Sequence, residues 1–157
     1  MPGSPISTDD VLLFCNRTIE GMLRAVDRLD DTTANTAPLE SANTPAQLVV
    51  HSLAACDWWV RGIICGDHVE RDRDGEFEAV ASVDELRHRC EAMQQRLTQL
   101  APRVARATTV HGEPTTQIPL GQPWTVGAAL VHAYEELAQH LGHLEVSIDH
   151  LLADEAG

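Results

Sequence analysis

The sequence predicts an all-α fold, a four-helix bundle with a long crossover connection before its last helix. Three observations lead there: four segments in which apolar residues recur at three and four, helix-start signals ahead of them, and no segment with convincing strand alternation. At 157 residues with 43% hydrophobic side chains, the chain suits one domain spanning 1–157 around a single core.

Ser7 or Thr8 caps helix one, and Asp9 and Asp10 sit in its first turn, where the helix dipole favours acids. Leu12, Cys15, Ile19, Met22, Val26 and Leu29 form its stripe, which ends near Leu29. Asp30 to Asn43, rich in Asp, Thr, Ala and Asn, reads as a loop. Thr44-Pro45-Ala46-Gln47 then opens helix two with a capping box and a proline at the first helical position. Leu48, Ser52, Ala55, Trp59 and Ile63 are its buried face as far as about Gly66, and His51 lies at the margin of that face, which predicts a semi-buried imidazole.

The charged stretch GDHVERDRDGEFE reads as an exposed loop over one end of the bundle. Ser82-Val83-Asp84-Glu85 is a second capping box, and Leu86, Cys90, Met93, Leu97 and Leu100 give helix three a narrow stripe up to Pro102. Ala105 to Pro123 carries three prolines and two glycines, a connection long enough for a crossover, with room for an extended piece around Gln117 to Leu120. Thr125 caps helix four, which runs to about Leu152 with Ala129, Ala133, Leu137, Leu144, Ile148 and Leu151 towards the core.

The formal net charge of -13, with no basic cluster to offset it, repels phosphate backbones and anionic lipids and argues against nucleic-acid and membrane-surface roles. The first ten residues have neither a basic start nor an apolar run, and a cytoplasmic location is expected. Cys15, Cys56, Cys65 and Cys90 sit inside apolar helical patterns without a Cys-x-x-Cys pair, so reduced core thiols are expected.

The chemistry concentrates in HAYEELAQHLGH on helix four. His132, Glu136, His140 and His143 are spaced by four, four and three, which lays metal-capable side chains along one strip of a helix. Glu136 and His140 lie next to the apolar stripe, with His132 towards the rim. If helices two and four are neighbours, His51 completes a His, Glu, His triad, the composition of metal sites that keep a coordination position open. Zinc and non-haem iron both suit that set, with nickel or manganese as alternatives.

The phrase TPAQLVVHSLAACDWW, followed by WTVGAALVHAYEELAQHLGHLE, resembles the DinB-like superfamily over nearly the whole chain. The likeness is to its mycothiol-dependent maleylpyruvate isomerase-like and mycothiol transferase branches. Many members have a His on helix two and His-x-x-x-His on the last helix, the first of the pair being Glu in the maleylpyruvate isomerase-like branch. By motif, His51, Glu136 and His140 match the metal ligands. The resemblance implies a DinB-type bundle, often a homodimer, that holds a divalent metal, zinc ahead of nickel, iron or manganese. All 11 basic residues are Arg, which suggests a GC-rich coding sequence and fits an actinobacterial source, where mycothiol is the abundant thiol.

The expected function is therefore an enzyme that activates a low-molecular-weight thiol, mycothiol first, as a metal-bound thiolate and transfers it to a small electrophile. The alternatives are a non-catalytic stress-response or ligand-binding dimer and a metal-assisted hydrolase. The chain stops at Gly157 without the second domain of the full isomerase pattern, so isomerisation itself is not expected. His143, in Gly-His-Leu-Glu, looks like the mycothiol transferase branch; a general-base or ligand-supporting role ranks ahead of metal binding for it. Trp58 and Trp59 read as packing, His68 and His111 as solvated loop residues, and Arg61 and Arg71 as either anion contacts or ordinary ion pairs.

Overall fold

Capping chemistry fixes where the helices begin. In the computed structural model, which describes residues 6–114, 116 and 121–155, Ser7 and Asp10 exchange side-chain bonds with each other's amides and open α1 (Thr8–Val26). Asp30 and Thr33 do the same for α2 (Asp31–Ala34), a single turn inside the expected loop. Thr44 and Gln47 open α3 (Pro45–Asp57), whose chain continues as a π-helical segment, Trp58–Ile64. The charged loop contains the one-turn α4 (Arg73–Glu76), and α5 (Val83–Arg106) and α6 (Val126–Glu155) complete the chain. There is no strand among the described residues, and none of their helices is long and apolar enough to cross a membrane.

Packing runs around a ring: α1 lies against α6, α6 against α3, α3 against α5, and α5 back against α1. The all-α bundle is the one the periodicity predicts, and it makes α3 and α6 neighbours. Their interior is filled by residues such as Ile19, Met22, Leu48, Leu86, Leu97, Leu137 and Ile148, all but excluded from solvent. Gly21 permits the close approach of α1 and α6, because a Cβ there would stand 2.6 Å from Leu141 Cδ2.

Several boundaries differ from the sequence expectation for local reasons. α1 stops at Val26, but the Arg28 and Leu29 amides bond to the Ala25 and Val26 carbonyls in tighter turns that keep Leu29 buried. α5 passes through Pro102 to Arg106, since buried Val104 anchors its last turn while Arg103 grips Asp67 and the Cys65 carbonyl. Only half of the Ser82 capping box forms, because Glu85 turns to Arg89. The widened turn after Asp57 is closed by bonds such as Cys65 N to the Val60 carbonyl. The extended piece expected around Gln117 to Leu120 lies outside the described residues.

Candidate metal centre

Helix α6 supplies Glu136 and His140 one turn apart, and α3 presents His51 opposite them. His51 Nε2 lies 3.9 Å from Glu136 Oε2, and His140 Nε2 lies 3.6 Å from the same oxygen. One donor atom from each of the three residues falls within 4.8 Å of the others. These separations exceed hydrogen-bond length, and the shorter one stands within a few tenths of an ångström of the roughly 3.3 Å between donors around a tetrahedral zinc. Donor types and spacing make the three residues a possible site for a divalent metal ion.

His51 is buried rather than half-buried, with 6% of its side chain exposed. The cover comes from α4 and the residue after it: Glu76 Oε2 is 2.8 Å from His51 Nδ1, and the Phe77 ring lies 4.5 Å from the imidazole, centroid to centroid. Arg71 holds Glu76 with two bonds, Nε to Oε1 at 2.7 Å and Nη2 to Oε2 at 3.0 Å. Burial lowers the pKa of His51 despite the opposing pull of Glu76, with the charges of His140 and Arg71 adding to the lowering. The neighbouring His140 imidazole, aided by His132 and His51, holds Glu136 below the usual carboxylate range. Both directions favour the metal-ready form, a neutral imidazole and an ionised carboxylate.

A cavity of about 420 Å³ opens onto this cluster, lined by His51, Ala55, Trp59, Arg71, Arg73, Thr116, His132 and Glu136. His132 is closer to the chemistry than a rim residue: its Nε2 is 3.5 Å from Glu136 Oε1 while its Nδ1 is 2.8 Å from Glu135. Trp59 and Trp124 pack against its ring at 4.7 and 5.6 Å. His143, by contrast, is exposed and is not among the lining residues.

Other sequence candidates fall elsewhere. Arg61 pairs with Asp57, and Arg71 faces the cavity only after committing its guanidinium to Glu76. His68 and His111 are exposed and line a different hollow with Trp58. Burial pushes the Cys15 and Cys90 thiols up to about 12 and the Cys56 thiol well above its ordinary value; Cys65 also moves up. All four are unpaired thiols, so the chain offers no ready thiolate of its own.

The sequence model of mycothiol-S-transferase matches residues 10–147, which takes in α3, α5, most of α6 and all three members of the triad. The chain belongs to the mycothiol-S-transferase family. This is a DinB-like family, and the all-helical bundle agrees with it. No curated protein and no solved structure matches the chain. For a mycothiol-S-transferase family member the small thiol comes from outside, which suits a protein whose own thiols are pushed towards the protonated form.

Glu76 is the site residue that the sequence pattern hides. It sits 25 residues from His51 in a charged loop without periodicity. Its one sequence signal is Asp72-x-x-Gly75, an N-cap followed by a glycine: Asp72 accepts the Gly75 amide at 3.0 Å, and its carboxylate occupies the space a Cβ on residue 75 would need.

Proposed function

We propose that this protein is a metal-dependent transferase that joins the sulfur of mycothiol to a small electrophile, with His51, Glu136 and His140 holding the cation. The observation that carries the reading is the meeting of these three donors beside a cavity large enough for a small-molecule substrate, with His51 and Glu136 in its lining. Zinc ranks first for a donor set of two imidazoles and one carboxylate, which leaves room for a further ligand. When bound, such a cation would attract a thiol sulfur and favour its ionised, nucleophilic form.

The protein's own residues do the rest. His51 and Glu136 fix the floor, while Trp59 gives the cavity an apolar wall that limits water. His132 takes the thiol proton at Nε2, its Nδ1–H being directed to Glu135. That task passes from His143 to His132 because only His132 lines the cavity. The sulfur then bonds to the electrophilic carbon as that carbon's bond to its leaving group breaks; the electron pair departs with the leaving group, to which His132 Nε2 can return the proton.

A mycothiol-consumption assay with an electrophile panel tests this. Consumption should require added zinc, disappear in His51→Ala, fall in His132→Ala and persist in His143→Ala. Equal rates with and without metal, or an active His51→Ala protein, would sink the proposal. Thiol-independent turnover of esters or amides would point to hydrolysis instead.

A further inference from the structure

We infer that Glu76 is a positioning residue for the metal triad: its carboxylate accepts a hydrogen bond from the Nδ1–H of His51, so that the Nε2 lone pair is the one presented to the ion, and Arg71 holds that carboxylate in place. The inference rests on reading His51, Glu136 and His140 as metal ligands.

A neutral imidazole has one N–H and one lone pair, and which nitrogen carries the proton is set by its partners. At Nδ1 the partner is Glu76 Oε2, 2.8 Å away, an acceptor already fixed by two Arg71 bonds. With the proton directed there, Nε2 is left as a donor atom facing Glu136 Oε2. Phe77 lies over one face of the ring, and His140 meets it edge-on at 4.7 Å, so the orientation of the imidazole is restricted as well as its tautomer.

The burial of this arrangement is informative. Glu76 and His51 are each 6% exposed at their side chains, and Arg71 is 13% exposed. Removing a carboxylate from water is costly unless it is paired and hydrogen-bonded, and here each oxygen has a partner. A merely structural ion pair would be complete with Arg71 alone. Glu76 instead shares Oε2 between Arg71 and the one triad residue that comes from another helix. A carboxylate bonded to the far nitrogen of a ligating histidine raises ligand basicity and fixes ring direction, and its loss typically weakens metal binding.

The test combines nitrogen-15 histidine spectra of the metal-free protein with competition titrations of Zn2+ against a chromophoric chelator, on wild type, Glu76→Gln and Arg71→Met. Wild-type His51 should carry its proton on Nδ1. Glu76→Gln should lose that single tautomer and bind Zn2+ about 10 to 100-fold more weakly, Arg71→Met showing a smaller loss in the same direction. A wild-type His51 protonated on Nε2, or a Glu76→Gln protein that matches wild type in zinc affinity, overturns the inference. If Glu76→Gln does not fold, the wild-type spectrum alone decides. Wild type that binds no zinc overturns the triad itself, and the tautomer measurement still judges Glu76 separately.

Discussion

The α1 and α5 half of the bundle and the α3 and α6 half bury their interiors by different rules. α1 and α5 turn inward almost wholly apolar faces, and the one buried hydroxyl there, Thr18, is bonded to the Phe14 carbonyl of its own helix. α3 buries His51, Ser52 and Asp57, and Glu76 closes over it. Charge is tolerated in that half only where partners are supplied, and the partners tell two cases apart. Asp57 is fully committed, to Arg61 from its own chain segment and to Arg96 of α5. His51 is committed at one nitrogen only, and the other faces Glu136 and His140. Buried polarity by itself therefore marks architecture; an unspent donor atom beside others of its kind marks a site.

Two substitutions, one in each half, test this contrast. Leu97→Ala, on the helix that gives nothing polar to the triad, should cost about 2–5 kcal/mol of folding stability, read by urea denaturation, while the folded fraction keeps its zinc affinity. Asp57→Ala should cost less, about 1–3 kcal/mol, because Arg61 and Arg96 are exposed enough to recover water, and it too should leave zinc affinity unchanged. Loss of metal binding in Asp57→Ala at unchanged stability would erase the distinction between the two buried acids.

Periodicity made much of this legible. The four stripes, the caps at Ser7 and Thr44 and the shared strip of Glu136 and His140 follow from local spacing, because each depends on residues three or four apart. The pairing with His51 needed only that α3 and α6 be neighbours, which they are. Helical phase could not separate His132 from His143, whose positions on the helix circumference nearly coincide. What separates them is height: His143 lies about 10 Å along the axis from Glu136, whereas Trp59 and Trp124 close over His132. Glu76 and the π-helical widening after Asp57 escaped because both are set by contacts between segments rather than by any spacing within one.

On the proposed reading, the unspent donors of the α3 and α6 half, His51, Glu136 and His140, hold one metal ion. Titration of chelator-treated protein with Zn2+, followed by thermal unfolding, tests it most directly. Wild type should saturate at equimolar metal and gain about 2.7 kcal/mol of stability at a free zinc concentration 100 times the dissociation constant. His140→Ala should fold, yet lose most of that affinity and of the gain. Wild type that takes up no zinc, or His140→Ala that takes it up as tightly as wild type, would show that these three residues do not hold the metal.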